Sequence, residues 1–392
     1  MSENYIMCSR CILDTKDDPS IRFDSQGVCN YCHSYDELAG AQLSHEKQSP
    51  RILSQIVERI KAEGKGKEYD CVMGVSGGVD STYVALQAKK LGLRPLVVHL
   101  DNGWNSELAV QNIENIVKRL GFDLYTHVIN WEEFKDIQLS YFRASVVDIE
   151  AITDHAIRAI LYRTAYKHKV HYILSGSNIA TEGILPRHWV HRKNDWLNIK
   201  SIHKRFGRVR LRTFPYLTFW QEEFFTYFYS IHNIPLLNFL PYVKEQAKQA
   251  ITNELDWHDY GGKHYESIFT RFYQAYILPE KFGIDKRKAH LSTLICSGQI
   301  SRQDALEEMK KPVYDSSKLE EDKEYVIKKL GLNLEEFEDL MRLPVRQHTD
   351  YPNYPNRHWK YKAAVFKTAR PLIRLLKRMK RGFSQRQLQI IP

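Results

Sequence analysis

The 392-residue chain lacks any run of eighteen apolar residues, so no segment reads as a membrane-spanning helix. Its opening, MSENYIMCSR, lacks the basic start and apolar stretch of a secretory signal, and a cytoplasmic protein is expected. Cysteine is scarce, six in all, and in a cytosolic chain these exclude a disulfide framework. Two phosphate-binding signatures are also missing. There is no Gly-x4-Gly-Lys-Ser/Thr loop and no Gly-x-Gly-x-x-Gly after a strand, which removes the main support for kinase, GTPase and dehydrogenase readings. Acidic residues are absent from residues 361–392, which hold nine of the 57 Lys/Arg and leave 48 basic against 47 acidic side chains elsewhere. The net charge of +10 therefore belongs to the tail, and the near-neutral body argues against nucleic acid as a partner. With 43% hydrophobic and 27% charged residues the chain is neither disordered nor fibrous.

Four of the six cysteines are grouped as Cys8-x2-Cys11 and, after seventeen residues, Cys29-x2-Cys32. Each knuckle turns two thiolates toward one point, and two knuckles supply the four soft ligands of a closed, structural Zn²⁺ site; an iron–sulfur cluster is the competing occupant. With four thiolates available, His33 and His45 read as surface residues. Cys71 falls within an apolar strand and Cys296 in a helical apolar pattern, so both read as packing.

Residues 69–75, YDCVMGV, form a short apolar run of buried-strand type, followed by Ser76-Gly77-Gly78-Val79-Asp80-Ser81 and a helical stretch. Glycine allows a tight turn, and several backbone N–H groups converge at a positive helix N-terminus, a geometry that binds phosphate. A helix is expected over 51–62, strands over 95–104 and in DLYTHVI and HYILSG, and helices over 106–120 and through DHAIRAILYRTAYKH. Such alternation builds a parallel sheet with helices on both faces, whose ligand crevice lies beyond the carboxyl ends of the strands, where Ser76, Asp101 and Gly176 fall.

SGGVDS in this context resembles the pyrophosphate loop of the N-type ATP pyrophosphatases, the PP-loop or adenine nucleotide alpha hydrolase-like superfamily, which cleave ATP between the α- and β-phosphates. Ser175-Gly176-Ser177-Asn178 with Thr181 and Glu182 resembles the superfamily segment that lines the nucleotide and puts a carboxylate near Mg²⁺; a helix-start carboxylate stabilised by the dipole is the equal alternative for Glu182. RVRLRTFPYLTFWQEEFFTYFYSIHNIP resembles the last strand and helix. The resemblance implies a five-stranded parallel α/β domain with an N-terminal zinc ribbon and a C-terminal helical region. Boundaries fall at 1–48 for the ribbon, 49–245 for the ATP domain, 246–345 for a helical substrate- or partner-binding region and 346–392 for a basic tail.

Three stretches, at 184–196, 259–267 and 281–292, interleave polar, aromatic and basic residues without helical or strand periodicity, as binding loops do. With CSRCILDTKDDPSIRFDSQGVCNYC they resemble, over roughly residues 5–315, the N-acetyl sugar amidotransferases of bacterial surface-polysaccharide pathways, which turn an acetamido group on O-antigen or nonulosonic-acid sugars into an acetamidino group. The resemblance implies an N-acetylated sugar or nucleotide sugar as substrate, ATP and Mg²⁺, and structural Zn²⁺. It gives ATP contacts to Ser76, Gly77, Gly78, Val79, Asp80, Ser81, Asp101, Gly176, Asn178, Thr181 and Glu182, with Asp80 and Ser76 in catalysis. Lys263, Arg287 and His290 are catalytic candidates at phosphate or sugar, each with a surface charge as its alternative. No glutaminase nucleophile is evident, since residue 2 is Ser, so the resemblance implies a separate glutaminase and an ammonia-channelling barrel protein like the components of imidazole glycerol phosphate synthase. The rivals are a tRNA-thiolating enzyme of the same superfamily, which needs a sulfur-handling thiol, and a zinc-ribbon binding module without activity. Within the tail, Phe366, Ile373, Leu376 and Met379 recur at roughly helical spacing among basic residues, which suits contact with an anionic inner membrane surface or docking on the protein's own body or a partner's acidic surface.

Overall fold

The computed structural model describes residues 5–43, 49–262 and 265–354. Lys263, His45 and the tail from residue 355 lie outside them. The apolar runs form five strands, β1 Cys71–Gly74, β2 Pro95–Asp101, β3 Asp123–Val128, β4 Tyr172–Ser175 and β5 His232–Pro235. All pair in parallel, in the order β3-β2-β1-β4-β5. Between and around them lie α1 Asn30–Leu43, α2 Ser49–Glu63, α3 Val79–Lys90, α4 Glu107–Leu120, α5 Trp131–Ala144, α6 Ala151–Lys167, α7 Ile179–Glu182, α8 Trp196–Phe206, α9 Phe219–Glu223 and α10 Lys244–Leu255.

Side chains alternate across a strand, and β1 shows why its sequence is apolar throughout. Cys71 and Met73 pack into a core with Val57 and Ile60 of α2, Val84 and Ala85 of α3, Ile113 and Ile116 of α4 and Ile251 of α10. Val72 faces the opposite way, into a core with Leu96, Val98 and Ile173 and with Ala159, Ile160 and Ala165 of α6. The sheet is thus covered on both faces.

The chain continues as α11 Ile268–Phe272, α12 Leu278–Phe282, α13 Lys286–Cys296, α14 Arg302–Lys310, α15 Ser316–Leu330 and α16 Leu334–Arg342. A π-helical stretch, Tyr273–Ile277, joins α11 to α12. These helices do not stand apart: Phe269, Phe272 and Phe337 share a core with Phe134 and Phe142 of α5, Trp196 of α8 and all four clustered cysteines. Residues 346–354, grouped in sequence with the tail, are also docked on the body. Arg346 N donates to Ser145 O, and the Tyr351 hydroxyl donates to Ala144 O at 2.9 Å.

One strand-like segment is not a strand. In Arg-Val-Arg-Leu-Arg, residues 208–212, the backbone finds carboxylates instead of a ladder. Arg208 N and Val209 N donate to Asp136, at 2.8 and 3.0 Å, while Arg212, Thr213 and Phe214 N–H groups donate to Glu133 at 2.8–3.1 Å. Both carboxylates project from α5 and are buried, so they satisfy the donors a sheet neighbour would otherwise take. The last strand falls later, at His232–Pro235.

Candidate active site and four-thiolate centre

The chain runs from β1 outward to β2 and β3 and then returns to place β4 on the other side of β1, so the loops after β1 and β4 meet where the strand order reverses. In open parallel sheets the ligand crevice forms at that point. Here it is a cleft of about 300 Å³, walled by Ser76, Gly78, Val79, Asp80 and Ser81 from the first loop and Gly176, Ser177, Thr181 and Glu182 from the second. The opposite wall comes from later in the chain: Lys244, Glu245 and Lys248 at the start of α10, then Asp259, Tyr260, Gly261, Gly262 and Glu266.

The first loop is held in shape by its own atoms. Ser81 Oγ accepts from Ser76 N and donates to Gly78 O at 3.1 Å, and Thr82 Oγ1 donates to the same carbonyl at 2.7 Å. Gly77 turns the chain at φ +80°, and a Cβ there would lie 2.7 Å from Ala109 O of α4. Its carbonyl accepts from the Trp257 indole at 2.8 Å. Gly77 therefore seats the loop on the body and is not part of the cleft wall. Gly176 allows close approach of the two loops, since a Cβ would lie 3.2 Å from the Asp80 carbonyl carbon and from Ser81 N.

Asp80, in the first turn of α3, accepts a hydrogen bond from the Tyr242 hydroxyl. Burial, with Asp80 beside it, pushes the Tyr242 phenol far above its ordinary value, and burial with Glu266 and Asp80 does the same to Tyr260. Both phenols are thus neutral donors. Lys248 pairs with Asp259 across the cleft rim. His290 Nδ1–H donates to Thr181 O at 3.1 Å, and Nε2 accepts from Lys244 at 3.4 Å, so this histidine braces two lining residues from behind.

Other expected residues are placed elsewhere. Asp101 accepts from Gly103 N and Asn105 Nδ2, closing the turn after β2, and is not in the cleft wall. Asn178 caps α7 by accepting from Thr181 N at 2.8 Å. Arg287 chelates Asp285 and donates to Lys311 O at 2.9 Å, and it is not in the cleft wall. Lys244, Lys248, Tyr242, Tyr260 and Glu266 were missed. Tyr260 and Glu266 lie in the 259–267 stretch, whose interleaved pattern was the available signal. Lys244 and Lys248 lie in no motif of the sequence.

The cleft holds five carboxylates, Asp80, Glu182, Glu245, Asp259 and Glu266, against Lys244 and Lys248. A polyphosphate fits such a wall only with a divalent cation between. Among the described residues no carboxylates converge as the four thiolates do, so Mg²⁺ would be held by phosphate oxygens and water with one or two carboxylates such as Asp80 or Glu182.

The four thiolates form a separate, fully buried centre. Neighbouring Sγ atoms lie 3.7–3.9 Å apart, and all four fall within 4.8 Å of one another. A single tetrahedral ion with Zn–S bonds of about 2.3 Å requires edges of about 3.8 Å. A four-iron cluster gives each thiolate its own iron and a two-iron cluster divides the four between two irons, either of which spreads the set further, so the spacing suits one ion. Backbone N–H groups of Arg10, Cys11 and Cys29 donate to Cys8 Sγ at 3.2–3.4 Å, and Arg302 donates to the Cys8 and Cys11 carbonyls. Cys296 lies against this centre, 3.6 Å from Cys32 Sγ.

The sheet order and the Ser-Gly-Gly-Val-Asp-Ser loop at its reversal define the class: a five-stranded parallel α/β protein whose first loop is similar to the pyrophosphate loop of the ATP pyrophosphatases. Its C-terminal part is WbpG-like, residues 266–365 matching the family described as LPS biosynthesis protein WbpG-like, C-terminal domain. An uncharacterized protein of Methanocaldococcus jannaschii is 25% identical over 317 residues, 78% of this chain and 93% of its own length. A glutamine-hydrolyzing GMP synthase of Pyrobaculum aerophilum is 38% identical over 128 residues, 32% of this chain and 25% of that protein. Among solved structures, NMN synthetase from Francisella tularensis aligns with 18% identity over 50% of this chain and 74% of that one, at a TM-score of 0.29.

Proposed function

We propose that the chain is an ATP-dependent amidotransferase that converts the N-acetyl group of a sugar or nucleotide sugar to an acetamidino group in surface-glycan synthesis. The observation that carries this reading is the joint construction of one cleft. Its phosphate-binding loop is of the ATP pyrophosphatase type, and its far wall includes Glu266, the first residue of the WbpG-like segment.

An amide carbon is a poor electrophile with a poor leaving group, and adenylation remedies both. The amide oxygen attacks the α-phosphorus, and the bond to pyrophosphate breaks. Ammonia then adds to the imidate carbon, and AMP departs with the former amide oxygen, leaving C=NH. The N-terminal N–H groups of α3 at Asp80 and Ser81, with Lys244 and Lys248, receive the phosphate charge, and Asp80 and Glu182 would hold the cation that screens it. Mg²⁺, when bound, lowers the charge barrier to attack at phosphorus. Zn²⁺ on the four thiolates serves folding.

No thiol reaches the cleft. Cys71 is fully buried in β1, burial pushes its pKa up, and Cys296 packs on Cys32. Thiolation chemistry therefore lacks its sulfur carrier here, and ammonia would come from a separate glutaminase through a channelling partner. Incubating the protein with ATP, Mg²⁺, ammonium and a pool of N-acetylated nucleotide sugars tests the proposal. One sugar should lose the mass difference between O and NH while AMP and pyrophosphate form in equal amounts. Sugar-dependent ADP formation would reject it.

A further inference from the structure

A fifth thiol stands beside the four-thiolate centre without belonging to it. Cys296, the last residue of α13, directs its S–H at Cys32 Sγ from 3.6 Å. That is closer than the 3.7–3.9 Å between neighbouring ligand sulfurs. One tetrahedral ion takes four thiolates, so Cys296 remains a thiol in contact with a ligand. Cys8, Cys11, Cys29 and Cys32 are fully buried, whereas Cys296 is partly exposed, and of the five it is the one that solvent reaches.

The contact is built from both sides. Cys32 lies in the first turn of α1, which packs on α13. Further ties bind α13 and α14 to the N-terminal segment. Ile12 N donates to Ser292 Oγ at 3.4 Å, Lys288 pairs with Asp14 and Asp17, and Arg302 donates to the Cys8 and Cys11 carbonyls at 3.1 Å. The two sulfurs are therefore held at contact distance by the elements that carry them. Cys71 shows the alternative, a cysteine that fills space: it is fully buried in β1 among apolar side chains. Cys296 lies instead between a metal ligand and the surface.

We propose that Cys296 and Cys32 form an oxidation-sensitive catch through which hydrogen peroxide releases the metal ion. The peroxide converts the Cys296 thiol to a sulfenic acid, and water leaves. The Cys32 sulfur, giving up its bond to the ion, then attacks the Cys296 sulfur; the S–O bond breaks and hydroxide departs. Two electrons pass from the pair of sulfurs to the peroxide, and a disulfide joins α1 to α13. A disulfide sulfur is no longer a thiolate, so the ion keeps three of its four ligands and is held more weakly. Its release loosens the N-terminal segment and reaches the cleft through α13, whose His290 holds Thr181 O and Lys244. That the ion is zinc rests on the spacing of the four ligand sulfurs; the Cys32–Cys296 linkage does not.

Peroxide treatment of the whole, zinc-loaded protein tests the catch, with released zinc read by a chromogenic chelator and cysteine linkages mapped by mass spectrometry without reduction. Zinc release from wild type should accompany a Cys32–Cys296 linkage, and a thiol reductant with added zinc should reverse both. Cys296→Ser should release zinc about tenfold more slowly from an unchanged starting content. Cys296→Ala replaces it if the serine variant fails to fold, and the linkage mapped in wild type decides independently of either. Release at the wild-type rate from a folded Cys296 variant would overturn the proposal, as would linkages confined to Cys8, Cys11, Cys29 and Cys32. Oxidation of Cys296 with no linkage and no loss of zinc would do the same.

Discussion

Asp80 carries two roles that a single substitution can separate. Its charge belongs to the cleft, whereas its acceptor oxygen holds the Tyr242 hydroxyl. Asp80→Ala strands that buried hydroxyl at a cost of about 1–3 kcal/mol, so lost activity would be confounded with lost packing. Asp80→Asn keeps an acceptor and removes the charge. AMP formation should fall by about 10²-fold with a nearly unchanged melting temperature, and a folded Asn variant at wild-type rate would show that the carboxylate is not needed. Two histidines make a different prediction. Burial holds His155 at about 4 and, with His191 and Lys193 nearby, His348 at about 2. Their unfolded value is near 6.5, so below it the unfolded chain binds more protons and stability falls with falling pH, down to about 4 for His155 and further for His348. Each can contribute up to about 1.4 kcal/mol per pH unit. Denaturant midpoints between about pH 7.5 and 5, with metal content followed in parallel, should decline below about 6.5; a flat profile would refute the burial argument. Sequence could not distinguish these histidines from surface ones, because both are made by partners distant along the chain: His155 by Lys193 O and Leu217 N, His348 by Asn198 and Asp148.

Helix α13 couples the thiolate centre to the cleft. Ser292 accepts from Ile12 N, Lys288 pairs with the buried Asp14 and Asp17, Cys296 touches Cys32, and His290 braces the cleft from the same helix. Removing the ion should therefore loosen the cleft as well as the N-terminal segment. In Cys29→Ser, metal content and melting temperature should fall, and ATP affinity should weaken in whatever folds. Full ATP affinity in a metal-free, folded variant would uncouple the two, and elemental analysis showing iron in the wild type would overturn the zinc assignment. How legible each element was follows from what stabilises it. Strands β1 and β2 and helix α4 were readable because burial on both faces, or an N-cap such as Ser106 with Gly121 at the end, writes itself into local sequence. The segment 208–212 was not, because its backbone partners Glu133 and Asp136 lie some seventy to eighty residues earlier. For a related reason the partners of Arg287, Asp285 and the Lys311 carbonyl, could not be read from its polar loop-like surroundings in sequence.

At the scale of the molecule, the first half of the chain supplies the phosphate loop and the second half closes the cleft, and this explains which half of the site could be read. Residues 76–81 form a contiguous motif whose geometry is local, whereas Lys244, Lys248, Tyr260 and Glu266 acquire meaning only when α10 and the following loop fold back across the sheet. The same arrangement bears on the nitrogen source. On the proposed amidotransferase reading the cleft takes up ammonia, and all six cysteines are accounted for: four in the buried centre, one against it and one inside β1. None of the six is placed to attack the amide of glutamine. The purified chain should accordingly amidinate its sugar with ammonium and hardly at all with glutamine. Glutamine dependence should appear when a glutaminase and its channelling partner are added, and ammonium should lose part of its advantage as pH falls, since only the unprotonated amine adds to the imidate carbon. Efficient glutamine use by the isolated protein, abolished by Cys296→Ser at unchanged metal content, would show instead that the thiol beside the metal centre is the nucleophile, and the requirement for a partner would fall with it.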